Sequence, residues 1–186
     1  TGVGFSVERQ FVSNLPVVSK KDFTKILTHQ IVDSAEGWAE ALFTALYEGF
    51  TGGFVNFDYS DVRPAGAVLK TKGGRASGPE PLKNLLDYVA VVLANAVGRK
   101  LTSLECHDIM CMVGEIVVSG GVRRSALISF SDPDDEEMRN AKNWKLGEFP
   151  KHRYMANNSA YYDEKPSEDV FWAEWEALVD SQSGER

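Results

Sequence analysis

The amino-acid sequence predicts an α/β fold with largely parallel strands. Short apolar, strand-like segments alternate along the chain with longer segments whose apolar residues recur at helical spacing. Glycines and prolines stand at the borders of these segments, where turns and helix ends require them. The chain has 186 residues, 43% of them hydrophobic, which is enough to bury a sizeable core and makes one domain the natural expectation.

The predicted strands are all short. Residues 2–8 form an apolar run preceded by glycine, whereas residues 54–59 and 125–131 alternate apolar and polar side chains. Residues 157–162 predict a further strand, and residues 67–71 a brief one. No comparable pattern marks residues 9–33, whose periodicity is weak.

The first predicted helix begins at Ser34, a good N-cap that acidic residues follow. Its apolar face repeats at helical spacing through Trp38, Ala41, Leu42, Ala45 and Leu46. We expect Gly49 and the pair Gly52-Gly53 to end it.

Four further helical segments follow. Pro79 or Pro81 is expected to open a helix that continues to Gly98, because proline suits the first helical turn. Its predicted buried face is Leu82, Leu85, Leu86, Val89, Val92, Leu93 and Ala96. Residues 104–118 predict the next helix, and residues 132–137 an acidic turn and helix start with Pro133 at the first helical position. The last helix, over residues 170–179, has Phe171, Trp172, Trp175 and Leu178 as its predicted packing anchors.

Composition excludes several classes of protein. Twenty basic against 27 acidic residues give a net charge of −7, which disfavours general nucleic-acid binding. No apolar run is long enough for a membrane helix, and the first residues lack a signal peptide. Cys106 and Cys111 cannot form a disulfide framework, so they are read as buried thiols in a reducing, cytoplasmic setting. The chain lacks an initiator Met and stops abruptly at Arg186.

The first candidate site is the loop over residues 72–79, which contains Gly73, Gly74, Arg75, Ser77 and Gly78. Glycines let the backbone approach a ligand, arginine offers a planar fork of donors, and a helix N-terminus follows. These features suit a phosphate or another anion. A solvated glycine-rich turn explains them equally well, because the loop lacks the ending of a Walker motif.

The second candidate is the turn formed by Gly120, Gly121, Val122, Arg123, Arg124 and Ser125, between a predicted helix and strand. Adjacent arginines in such a turn point to opposite sides and are able to contact two ligands. A helix C-cap followed by two surface arginines is the structural alternative.

Asn157 and Asn158 form the third candidate. Asparagine amides read nucleobase and sugar edges, but they also satisfy the backbone of turns. No complete catalytic set accompanies these candidates: His29, His107 and His152 show no metal-ligand spacing, and no nucleophile elbow or Cys-x-x-Cys is present.

The order of these motifs along the chain is more specific than any one of them. The motifs are TGVGFSVE at residues 1–8, SAEGWAEAL at 34–42, VRPAGAVL at 62–69, GGRASGPEPL at 73–82, GGVRRSA at 120–126, NNS at 157–159 and GE at 184–185. Together they resemble a ribonucleotide reductase, most closely the monomeric, adenosylcobalamin-dependent type that acts on ribonucleoside triphosphates.

This resemblance implies that residues 1–186 supply about the first half of a ten-stranded α/β barrel, with residues 9–66 including an effector-binding insertion. In the family, the turn equivalent to residues 120–125 lies between the substrate and a deoxynucleotide effector, and it selects the base that is reduced. The resemblance implies the same role for Gly121, Val122, Arg123, Arg124 and Ser125 of this chain. Residues 73–78, Asn157 and Asn158 receive only a place near the nucleotide site.

The resemblance also implies partners that this chain does not contain. The parent enzyme would use adenosylcobalamin to create a thiyl radical and a thioredoxin-like reductant to restore its thiols, supplying deoxyribonucleotides for DNA replication. The family's Asn-x-Cys-x-Glu segment, which holds the radical cysteine, does not occur here, so a fragment without catalytic residues is expected. Two alternatives stay open: a non-catalytic nucleotide-binding module of the same fold, and an iron- or manganese-dependent reductase.

Overall fold

The computed structural model describes residues 2–69, 74–119 and 126–182, which divide between two compact units. The first unit is assembled from Thr1–Asn14, Thr102–Gly114 and Ser125–Arg186. The second contains Leu15–Leu101 and Glu115–Arg124.

Strands and helices alternate through the described residues. The strands are β1 (Gly2–Ser6), β2 (Ile26–Gln30), β3 (Phe54–Asp58), β4 (Ala126–Ser131) and β5 (Ala156–Ala160). The α-helices are α1 (Arg9–Val12), α2 (Ala35–Thr51), α3 (Glu80–Asn95), α4 (Ser103–Ser119), α5 (Glu136–Arg139) and α6 (Glu168–Ser181). Two 3₁₀ turns cover Trp144–Leu146 and Lys151–Met155.

The first unit contains a three-stranded parallel sheet in the order β1-β4-β5. Its register aligns Phe5 with Ser129 and Ser129 with Asn158. Helix α4 packs on one face, where Cys111, Leu127 and Ala156 form a buried cluster. The predicted parallel α/β class is therefore confirmed, as are the three predicted strands, with ends that differ by one or two residues.

The second unit contains the parallel pair β2–β3, and β2 is a strand that the sequence pattern did not predict. Ile26 and Leu27 are 63% and 42% exposed, so β2 has no buried face to impose an alternating pattern. The predicted strand over residues 67–71 is wrong for its described part, since Val68 makes only an isolated antiparallel bridge to Arg75.

Helix α2 begins where the sequence predicts, because Ser34 Oγ accepts a hydrogen bond of 2.9 Å from the amide of Gly37. It ends at Gly52, which adopts a left-handed conformation with φ of 87°. The expected stop at Gly49 is wrong. The helix continues through Gly49 to Thr51. A Cβ at position 49 would overlap Leu93 Cδ1, so glycine is needed there for the close packing of α2 on α3.

Replacing Gly49 by valine is expected to destabilise the protein by about 1–3 kcal/mol, because the new methyl groups must displace Leu93. Urea denaturation followed by circular dichroism measures the change. Ala39→Val, at an exposed position of the same helix, controls for the helix propensity of valine and should cost less than about 1 kcal/mol. Equal losses in the two variants would show that the contact with Leu93 is not what constrains Gly49.

Helix α3 presents the predicted apolar face to the core. Pro79 is its N-cap and Pro81 lies in its first turn. The six buried side chains are Leu82, Leu85, Leu86, Val89, Val92 and Leu93. The helix ends at Asn95, before the expected Gly98, and Ala96 is buried just beyond it.

Two predictions in the last third of the chain are corrected. Helix α5 begins after Asp135 instead of at Pro133, because the Asp135 carboxylate accepts a hydrogen bond of 3.0 Å from the amide of Met138. Helix α6 forms as predicted, but Phe171, Trp172 and Trp175 are about half exposed and do not anchor a core within the described residues. Their rings contact one another at centroid distances of 5.4 and 6.4 Å.

Candidate nucleotide-binding residues

In the second unit, the described part of the glycine-rich loop closes a small hairpin. The amide of Ala76 donates to the carbonyl of Ala67 at 2.8 Å, and the amide of Leu69 donates to the carbonyl of Gly74 at 3.1 Å. Gly74 and Gly78 have positive φ angles of 92° and 77°, which side chains rarely tolerate. The glycines are thus required by the shape of the turn itself.

Arg75 braces this hairpin. Its guanidinium donates a hydrogen bond of 3.0 Å to the carbonyl of Gly66, so part of the donor fork is used within the turn. A Cβ on Gly78 would lie 2.9 Å from the amide nitrogen of Ala65, so the backbone there packs too closely for any side chain. These contacts agree with the structural alternative, and the remaining donors of Arg75 are compatible with a ligand.

A cavity of about 370 Å³ opens beside this turn within the second unit. The described residues that line it are Asp33, Ser34, Ala35, Trp38, Val62, Arg63, Leu69, Arg75, Ala76, Ser77, Gly78 and Ile116. The N-terminus of α2 faces this space through Ser34 and Ala35, and it favours negative charge. Arg63 is ion-paired with Asp33, so a bound anion would compete with that carboxylate for the guanidinium.

The structure separates Asn157 from Asn158. Both lie on β5, and neighbouring side chains on a strand point to opposite faces of the sheet. Asn158 is 7% exposed on the face that α4 covers, whereas Asn157 is exposed on the open face. The two asparagines, both predicted to lie near the nucleotide site, therefore face opposite sides of the sheet.

The open face around Asn157 is shallow. Gly4, Ile128 and Asn157 form one row across β1, β4 and β5. A Cβ on Gly4 would approach Ile128 Cγ2 to 3.3 Å, so glycine avoids a close contact between neighbouring side chains in this row.

The turn over residues 120–125, including Gly120, Gly121, Val122, Arg123, Arg124 and Ser125, lies outside the described residues, and so does Gly73. The described elements on either side are α4, which ends at Ser119, and β4, which begins at Ala126. A helix and a strand therefore flank residues 120–125, in the order that the sequence predicts.

Sequence reasoning missed a buried polar cluster beneath the sheet. The Asp108 carboxylate accepts two hydrogen bonds of 2.7 Å from the Arg153 guanidinium and lies 3.3 Å from His152 Nε2. His107 Nδ1 is 3.0 Å from Ser129 Oγ, and its Nε2 is 3.4 Å from Cys111 Sγ. The i, i+4 spacing of His107 and Cys111 was the available signal, because it places both on one helical face.

Neither cysteine is suited to redox chemistry. Burial, together with the nearby Asp108, raises the pKa of Cys111 to about 12. Burial and Glu105 raise the pKa of Cys106 to about 11. Both thiols therefore stay protonated and unreactive near neutral pH, as expected of core cysteines.

Among the described residues, no grouping of histidine, cysteine, aspartate and glutamate has the arrangement that a metal ion needs. Within the same part of the chain, every helix is too short or too polar to cross a membrane.

Comparison with known proteins finds enzymes of similar sequence. The chain is 32% identical to an adenosylcobalamin-dependent ribonucleoside-triphosphate reductase of Levilactobacillus brevis, over 87% of this chain and 27% of that protein. It is 33% identical to the enzyme of that name from Euglena gracilis, over 86% of this chain and 22% of that protein. No family model matches.

The solved structures agree with the sequence comparison. A crystal structure of a B12-dependent, class II ribonucleotide reductase matches 87% of this chain with a TM-score of 0.70 and 30% sequence identity, and the match covers 27% of that protein. The fold is therefore that of part of a ribonucleotide reductase barrel.

The resemblance inferred from the motifs is thereby confirmed: the relatives are adenosylcobalamin-dependent reductases of class II. The chain spans about a quarter of their length.

Proposed function

We propose that this chain is part of an adenosylcobalamin-dependent ribonucleoside-triphosphate reductase and carries its specificity determinants. The observation that supports this most strongly is the match to these enzymes over 87% of the chain, in both sequence and fold. In this proposal residues 1–186 form one partial barrel domain, and residues 9–66 include the effector-binding segment.

In this proposal the specificity determinants are the turn over residues 120–125 and, independently of it, Asn157 and the hairpin of Arg75. Gly120 and Gly121 permit the backbone to change shape, and Arg123 and Arg124 contact substrate and effector. Asn157 contributes from the open face of β5, and Arg75 with Gly74, Ser77 and Gly78 contributes from the hairpin. An effector base that moves this turn changes which ribonucleotide fits, so it acts as an allosteric ligand.

Adenosylcobalamin supplies radical chemistry to the enzymes that bind it. Cys106 and Cys111 do not fit the thiol that receives the radical, because both lie within helix α4 and neither stands in an Asn-x-Cys-x-Glu segment. We therefore assign no chemical step to them and place the radical cysteine in another part of the enzyme. Ribonucleoside triphosphate, a deoxynucleotide effector, a thioredoxin-like reductant and a cytoplasmic location belong to the same proposal.

Replacing Arg123 or Arg124 by alanine in the reductase that carries this chain is expected to change base selection. Competition among the four ribonucleoside triphosphates, with and without deoxynucleotide effectors, measures the change. We expect about a tenfold shift in at least one effector-dependent ratio, equivalent to roughly 1.4 kcal/mol. Arg99→Ala is the matched control and should leave the ratios unchanged. Unaltered ratios in both turn variants would remove the specificity role from residues 120–125.

A further inference from the structure

The first unit contains a second cavity, of about 350 Å³, that the specificity proposal does not use. The described residues lining it are Glu136, Met138, Arg139, Asn140, Lys142, Asn143, Trp144, Lys145, Asn158, Ala177, Asp180 and Ser181. Its volume lies within the range of small-molecule sites. Because Asn158 reaches it from the helix-covered face of β5, the cavity is separate from the open face that presents Asn157.

Asn158 is the unusual member of this lining. It is 7% exposed, and among the described residues none donates a hydrogen bond to its Oδ1. A buried carbonyl oxygen without a donor is unfavourable, so proteins usually satisfy such a group or place it where a ligand does. The amide edge that Asn158 brings to the cavity combines an acceptor with a donor.

An aromatic ring and basic side chains also line this cavity. Trp144 is 55% exposed, and the Lys145 ammonium lies 5.9 Å from the centroid of its ring. Lys145 Nζ donates one hydrogen bond of 2.6 Å to the carbonyl of Asp180, and an ammonium group has three N–H donors. Arg139, Lys142 and Lys145 outnumber the acidic Glu136 and Asp180 in the lining, although the whole chain is acidic.

We propose that this cavity binds an adenine nucleotide of monophosphate size. The exocyclic amino group of adenine donates to Asn158 Oδ1 while a ring nitrogen accepts from the Asn158 amide, the pairing that asparagine makes with adenine elsewhere. The base stacks on Trp144, and the phosphate lies against Lys145. The proposal does not depend on reductase activity.

Isothermal titration of the protein with adenosine monophosphate tests the proposal. We expect saturable binding, and we expect Lys145→Ala to weaken it by about fivefold to tenfold because a charge-assisted contact is lost. Asn158→Leu should abolish detectable binding. Leucine has a similar volume and removes the unsatisfied acceptor, so the thermal midpoint of this variant should not fall. Lys165→Ala, at an exposed position that does not line the cavity, is the matched control and should bind as the parent protein does.

Several results would overturn the proposal. One is the absence of binding at millimolar adenosine monophosphate by the folded parent protein. Another is inorganic phosphate binding as tightly as the nucleotide, since that would leave no role for Asn158 and Trp144. A loss of binding in Arg123→Ala or Arg124→Ala, with Asn158→Leu unaffected, would place the nucleotide at the specificity turn instead.

Discussion

Replacing Asp108 by alanine is expected to destabilise the protein by about 3–5 kcal/mol. The carboxylate is the partner of the Arg153 guanidinium, and the side chains of Asp108 and Arg153 are only 8% and 13% exposed. Removing the carboxylate leaves a buried guanidinium without its counter-charge. Arg153 also donates at 2.8 Å to the carbonyl of Ala141, so the disturbance should spread to the segment before β5.

Urea denaturation at neutral pH measures this loss. The exposed pair of Asp22 and Lys25, separated by 3.8 Å, offers a matched control, and Asp22→Ala should lower the stability far less than Asp108→Ala does. If Asp108→Ala lowered the stability no more than Asp22→Ala does, water or another group would have to compensate the charge of Arg153.

The stability of the protein is expected to fall as the pH drops from about 6.5 towards 4. Burial lowers the pKa of His107 to about 4, from an ordinary value of 6.5. Above pH 6.5 the imidazole is neutral in both the folded and the unfolded protein. Between these two pKa values only the unfolded protein takes up the proton, so the folded state loses roughly 3 kcal/mol in total over that interval.

Asp108 adds a second loss at lower pH. Burial raises its pKa, but the hydrogen bonds from His152 and Arg153 outweigh burial and hold the pKa below the ordinary 3.8. The stability from the ionised carboxylate is therefore complete above about pH 4 and disappears as the pH falls through the lowered pKa.

Free energies of unfolding at pH 7.5 and 4.5, for the parent protein and His107→Gln, separate these contributions. Glutamine retains a hydrogen-bonding group near Ser129 but does not titrate, so the variant should lose most of the fall above pH 4.5. His29→Gln, on β2, is the matched control for removing an imidazole. An unchanged pH dependence in His107→Gln would contradict the assignment to this histidine.

The elements that the sequence predicts well carry their own local signals. Ser34 caps α2 through its own side chain, and Pro79 opens α3, so both helix starts can be read from a few neighbouring residues. The buried face of α3 follows from helical spacing because one side of that helix is covered along its length.

The elements that it misses depend on distant contacts. Strand β2 is specified by pairing with β3, and Gly49 is explained by Leu93 on another helix, neither of which appears in a local pattern. The same limit applies to α6, where helical spacing identifies an aromatic face but not whether anything covers it.

In the candidate site, too, some features follow from the local sequence and others depend on distant contacts. Strand alternation alone implies that Asn157 and Asn158 diverge, and the structure shows the consequence in their different exposure. The Asp108–Arg153 pair joins residues 45 positions apart, which no spacing rule anticipates. The role proposed for the turn over residues 120–125 rests on the order of motifs along the chain.

The central claim is that this chain belongs to a reductase that requires adenosylcobalamin. Its most direct test is turnover by the enzyme that contains the chain, supplied with each ribonucleoside triphosphate, a dithiol reductant and deoxynucleotide effectors. We predict deoxyribonucleotide formation only when adenosylcobalamin is added, with effector-dependent preference among the four substrates. Equal turnover without adenosylcobalamin, or no reduction of any ribonucleotide in its presence, would contradict the claim.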